Sequence, residues 1–213
     1  MPPLTTYPFS AYLYRLKHIK RWSLMRSTMT ENVAEHSYHV ALLSHLLCTI
    51  GNELYGKSLN ADRAATLALF HDAPEVFTGD IPTPVKHHNE TLLNNFRLIE
   101  QMGAQRLTDM APEPLQPVYA ALIGTTEPSE EDKRLHTYVK AADRIDAYLK
   151  CAWEVAAGNR EFAVAKQQTE EKLAESAMPE VEYFLKHLAP AFEMTLDELS
   201  TQMGEQADRP EIR

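Results

Sequence analysis

The chain has 213 residues, enough for one domain with a sizeable buried core, and its 44% apolar and 24% charged residues are ordinary for a globular protein. A formal charge of −9 argues against broad binding to a nucleic-acid polymer, which needs basic surface to release counterions. Glycine is scarce, at 7 residues, while Ala, Leu, Glu, Lys and Gln abound, so the expected class is all-α. Cys48 and Cys151 lie in apolar helical patterns with no metal spacing and read as buried, reduced thiols. The first ten residues lack the basic-then-apolar pattern of a secretory signal. No window approaches the roughly 18 apolar residues of a membrane span, so a cytoplasmic protein is expected.

Tyr12, Leu13, Leu16 and Ile19 recur at helical spacing, which predicts a short amphipathic helix over 8–20. Arg21-Trp22 follows. It offers a guanidinium for phosphate and a flat ring for a base or sugar, or simply a surface Arg beside a core Trp. Asn32 and Glu35 have capping-box spacing and open a helix expected to stop at Gly51-Asn52. His36, Val40, Leu43 and Leu47 share one face, so His36 points inward, as a bonded core histidine or as a ligand. His39 and His45 fall off that face.

Asn60-Ala61-Asp62 opens the next helix, whose apolar run ends on His71-Asp72. Burying an imidazole and a carboxylate together is costly unless something satisfies both, and a divalent metal would. Pro74 and Gly79 break the backbone, and Pro82 with Pro84 predicts an extended loop over 81–86. Lys86 at its end is either a phosphate contact or a solvated lysine. His87-His88 reads as a polar surface pair. Leu92, Phe96, Ile99, Met102 and Leu107 suggest a helix over 91–110, and the proline-broken stretch 111–131 holds a short helix at 118–123. A long helix over 131–157 carries Asp143 and Asp146 beside small apolar residues. Residues 160–193 are amphipathic and helical with a break near Met178-Pro179, and 204–213 are polar and expected to fray.

Four side chains on three predicted helices can face one point: His36, His71, Asp72 and Asp143. Two imidazoles and two carboxylates neutralise a divalent cation and leave positions for water and a phosphate oxygen. This H…HD…D set resembles the signature of the HD-domain phosphohydrolases, an all-helical bundle. The stretches Arg21-Trp22, Thr30 to Ser37, His71 to Glu75, Thr78 to Lys86 and Ala142-Asp143 are similar to the YfbR-like bacterial 5′-deoxynucleotidases, over roughly residues 10–200. The resemblance implies one HD domain over 1–213 and hydrolysis of deoxyribonucleoside 5′-monophosphates. It implies one divalent transition metal, Co²⁺ or Mn²⁺, and a homodimer. It also implies roles: His36, His71, Asp72 and Asp143 as metal ligands, Arg21 and Trp22 as nucleotide contacts, Glu75 in catalysis and Asp80 on the sugar. Asp146, three residues after Asp143, is a rival for the ligand role, with Asp143 the better match. Another HD activity (a phosphodiesterase or a nucleoside triphosphate hydrolase) and a non-catalytic nucleotide sensor are the alternatives.

Overall fold

The structure, a computed structural model, describes residues 6–86 and 88–207. Among them no strand forms; a lone antiparallel bridge between Lys20 and Asn32 closes the intervening loop. The chain opens with α1 (Phe9–Leu13), which tightens at once into a 3₁₀ turn over Tyr14–His18 in place of the single helix expected there. Helix α2 (Val33–Tyr55) starts on the predicted capping box: Asn32 Oδ1 accepts from the Ala34 and Glu35 amides at 3.1 Å each, and Glu35 accepts from the Asn32 amide at 3.3 Å.

Helix α2 does not stop at Gly51. It runs on to Tyr55, and Gly56 takes the left-handed cap with φ 62°. Gly51 is a packing residue, because a Cβ there would lie 2.8 Å from Glu180 Oε1 and 2.9 Å from Leu59 Cδ1. Helix α3 (Ala61–Phe70) is capped by Asn60 and ends at His71, as expected. Two short helices follow, α4 (Glu75–Thr78) and α5 (Thr83–Lys86). The second replaces the predicted extended loop. Pro84 sits in its first turn, where a missing N–H leaves no intrahelical bond unmade.

Helix α6 (Glu90–Asp109) turns Gly103, Ala104 and Leu107 inward, while Ile99 and Met102 from the predicted apolar stripe face solvent. Helix α7 (Gln116–Ile123) matches the short predicted helix, and α8 (Glu130–Ala156) the long one. A 3₁₀ turn (Arg160–Phe162), α9 (Ala163–Ala174), α10 (Pro179–His187), a further 3₁₀ turn (Ala189–Glu193) and α11 (Leu196–Ala207) complete the described chain. Residues 204–207 thus extend α11 instead of fraying, and 208–213 lie outside the described residues, as does His87. His88 is exposed.

Helix α2 packs along both α3 and α8, which also touch each other. Leu47, Leu67, Leu135 and Ile145 meet there with no exposed surface, each contributing about 1.5–3 kcal/mol of transfer free energy. A second apolar cluster (Phe9, Ala73, Ala104, Leu107, Ala111, Ile123) lies beyond the end of α3, and Phe70 and Tyr119 pack against both. The His71-Asp72 pair therefore sits at the seam between two cores. Cys48 and Cys151 are free and buried, and burial pushes both thiols up to about 12. Among the described residues no helix is long and apolar enough to cross a membrane.

Candidate active site

Three helices and one loop meet at the end of α3. Helix α2 places His36 in its second turn, fully buried; α3 delivers His71-Asp72 as its backbone turns; α8 brings Asp143 across. His36 Nε2 lies 3.2 Å from Asp143 Oδ1 and 3.4 Å from Asp72 Oδ2, and His71 Nε2 lies 3.1 Å from Asp72 Oδ2. Neither ring nitrogen makes a hydrogen bond, although both are buried. Buried donors and acceptors are nearly always bonded, so two orphans aimed at two carboxylates call for a missing partner.

The opposite ring atoms are satisfied. His71 Nδ1 donates to the Ala68 carbonyl at 2.7 Å, and His36 Nδ1 lies 2.7 Å from Asp146 Oδ2. Arg21 Nη1 also packs 2.6 Å from His36 Nδ1, but arginine only donates and Asp146 only accepts. We assign the Nδ1 proton to the Asp146 bond, with Arg21 donating to Glu31 and, at 3.3 Å, to Asp146. Both rings then present Nε2 lone pairs to one space. A bond from the remote N–H to a carboxylate or a backbone carbonyl is how metal-binding imidazoles are usually held. Asp143 and Asp146, rivals by sequence, thus fall on opposite nitrogens of one ring.

Electrostatics agree with a cation. Burial works against charge on His36, yet Asp143, Asp146 and Asp72 outweigh it and raise its pKa well above the imidazole range. Burial alone would raise Asp72, but His71 and His36 hold it well below the usual carboxylate range. The site favours positive charge at Nε2, and a divalent ion meets that demand as a proton does. His36, His71 and Asp143 offer atoms all within 4.8 Å of one another, and Asp72 lies between the two rings. The donor set, two imidazoles and two carboxylates, fits a first-row divalent metal.

Glu75 opens α4 over this group. Burial, then Asp72 and Asp80, pushes it up to about 9, and its Oε2 is buried without a partner. Asp80 is likewise raised, first by burial. Trp22 adopts φ 57°, rare for a bulky residue, and its Nε1 is buried and unbonded. A cavity of about 400 Å³ runs from His71, Asp72 and Glu75 along α6 to Arg97 and Gln101. Lys86 lines it too, but its Nζ is tied to Glu100 at 2.5 Å. Glu31, not singled out by sequence, pairs with Arg21 because the Lys20–Asn32 bridge sets the two opposite each other, with the Arg21 amide bonded to the Glu31 carbonyl at 3.0 Å.

The chain is similar to known proteins along most of its length. The 5′-deoxynucleotidase YfbR-like family matches residues 8–192. The 5′-deoxynucleotidase YfbR of Shigella dysenteriae is 48% identical over 192 residues, covering 90% of this chain and 95% of that protein. The 5′-deoxynucleotidase of an Enterobacter strain is 47% identical over the same shares. A crystal structure of an HD-domain phosphohydrolase from Listeria innocua superposes with a TM-score of 0.73 at 25% identity, over 93% of this chain and 97% of that one. The cyanophage S-2L HD phosphohydrolase, solved with dA and one catalytic Zn²⁺ ion, shares the fold with a TM-score of 0.58 at 23% identity, over 85% and 96%. With this likeness along nearly all of its length, and an all-helical HD-domain fold, the chain belongs to the 5′-deoxynucleotidase YfbR-like family.

Proposed function

We propose that this chain hydrolyses deoxyribonucleoside 5′-monophosphates to deoxynucleoside and phosphate, with one divalent cation held by His36, His71, Asp72 and Asp143. The observation that carries the reading is the pair of buried, unbonded Nε2 atoms facing Asp72 and Asp143. Bound there, Co²⁺ or Mn²⁺ supplies Lewis-acid polarisation and a more acidic water. The phage relative's Zn²⁺ adds a third ion to test.

The chain's own residues do the rest. Glu31, Asp72, Asp143 and Asp146 would repel a phosphate dianion without a cation among them. Arg21, buried beside Glu31 and Asp146, adds fixed positive charge for the phosphoryl oxygens. Glu75 holds a proton and moves it at the leaving 5′-oxygen. Trp22 offers its ring face and free Nε1 to the nucleoside, and Asp80 accepts from the sugar 3′-hydroxyl, leaving little room for a 2′-hydroxyl. Lys86, once released from Glu100, is a further phosphate contact.

We place the protein in the cytoplasm as a homodimer of single HD domains spanning 1–213. The two buried free thiols support the compartment, and the family resemblance supports the dimer. The test is phosphate release from dAMP and from AMP by chelator-stripped protein, with and without Co²⁺, Mn²⁺ or Zn²⁺. Ion-dependent release from dAMP in preference to AMP is the expected outcome. Equal rates without added ion refute it, and release only from a triphosphate or a diester favours another HD activity.

A further inference from the structure

The polar face of α8 does not end at the site. Asp143, Asp146, Lys150 and Glu154 follow one another at steps of three and four residues and line one side of the helix. Glu154 stands about 16 Å along the axis from Asp143. It is 1% exposed, yet it is one of the most fully bonded groups in the molecule. It accepts from the Thr28 amide at 2.9 Å, Thr28 Oγ1 at 2.7 Å, the Met29 amide at 3.3 Å, Asn159 Nδ2 at 2.8 Å and Lys150 Nζ at 2.6 Å. Lys150 Nζ also donates to the Met29 carbonyl at 2.6 Å, and Asn159 Nδ2 to the Arg26 carbonyl at 2.7 Å.

Five of these bonds reach the loop between Trp22 and Thr30, and the other two tie Lys150 and Asn159 to Glu154. Apolar burial does not hold that loop, because Leu24 is 75% and Met29 66% exposed. At its start Trp22 keeps a left-handed backbone, a conformation that persists only where the surroundings over-determine it. The Trp22 ring rests 5.4 Å from that of Phe162, and Lys150 Nζ lies 5.7 Å over the other ring of that pair.

We propose that Glu154, with Lys150, is a positioning residue that clamps the 22–30 loop and thereby holds Arg21 and Trp22 against the nucleotide. This rests on the reading of those two residues as nucleotide contacts. Glu154 touches none of the metal-site side chains, so its loss separates loop position from ion binding. A glutamine there turns an amide N–H₂ toward donors that now find an acceptor, which opens the clamp while keeping the side chain's shape.

The experiment uses a Trp153→Phe background, in which Trp22 is the sole remaining one of the chain's 2 tryptophans. Glu154→Gln and the gentler Thr28→Ala are expected to raise acrylamide quenching of Trp22. In the Co²⁺-loaded enzyme Glu154→Gln raises KM for dAMP about 10-fold, with kcat within about twofold and Co²⁺ affinity unchanged. Arg26→Ala, in the same loop but paired with Glu161 on the surface, shifts KM by less than about twofold. Wild-type quenching and KM in folded Glu154→Gln and Thr28→Ala overturn the proposal, as does a fall in Co²⁺ affinity with KM unchanged. Arg21→Ala separates the two readings. If it leaves KM unaltered the nucleotide-contact assignment fails, and the quenching change alone still decides whether the clamp exists.

Discussion

Asp146→Asn tests whether this carboxylate acts on the ion directly or through His36. Its Oδ2 takes the His36 Nδ1 proton at 2.7 Å and receives Arg21 at 3.3 Å, while His39 Nδ1 lies 3.5 Å from Oδ1. Asparagine keeps one acceptor and the side-chain shape, but it removes the charge and sets an N–H₂ against one of three donors. Losing the outer partner of a ligating imidazole costs about 10- to 100-fold in metal affinity. That is about 1.4–2.8 kcal/mol. Calorimetric titration of chelator-stripped protein with Co²⁺ is therefore expected to give a Kd raised by about 10- to 100-fold, with turnover recovering at saturating ion. A Kd within about twofold of wild type refutes the reasoning, because a charged partner on Nδ1 cannot be that dispensable. Complete loss of Co²⁺ binding refutes it in the other direction and moves Asp146 into the ligand set.

Glu75→Ala keeps its bound Co²⁺ but turns over at least about 100-fold more slowly; near-normal turnover removes Glu75 from the chemistry. Gly51→Ala drives a methyl into Glu180 and Leu59, both already confined, and should cost about 1–3 kcal/mol in urea unfolding; a more stable variant would mean that those side chains yield. Arg63 forks onto Asp132 with bonds of 2.9 and 2.8 Å, and this pairing holds the carboxyl below its usual range. A depressed folded pKa stabilises above the unfolded value of about 3.9 and ceases to do so as pH falls through the folded one. Asp132→Asn should therefore lose about 1–3 kcal/mol at pH 7, with the gap to wild type narrowing below about pH 4. An equal deficit at every pH would show that the charge is irrelevant.

Local rules read much of this fold from sequence. Asn32 and Glu35 announced the start of α2, its periodicity turned His36 inward, and the His71-Asp72 pair stood out at the end of an apolar run. Where those rules failed, tertiary contacts had decided. Gly51 reads as a stop signal, yet the approach of Glu180 from α10 makes it a spacer inside a continuing helix. Asp143 and Asp146 are about 60° apart around α8, too close for periodicity to divide. Only the two nitrogens of His36 separate them. Glu31 and Glu154 escaped notice because Arg21 meets the first across a bridge and Thr28 and Met29 meet the second from a loop far away in sequence, beyond any short-range pattern.

Helix α2 works as a ruler with both ends fastened. His36 is fixed near its start by Asp143 and Asp146, and Gly51 by the tight approach of Glu180 and Leu59 about 22 Å further on. One residue added or removed between those marks would rotate everything beyond it by about 100° and shift it by about 1.5 Å. The number of residues from His36 to Gly51 is therefore set by the contacts at the two marks, independently of which side chains fill the core between them.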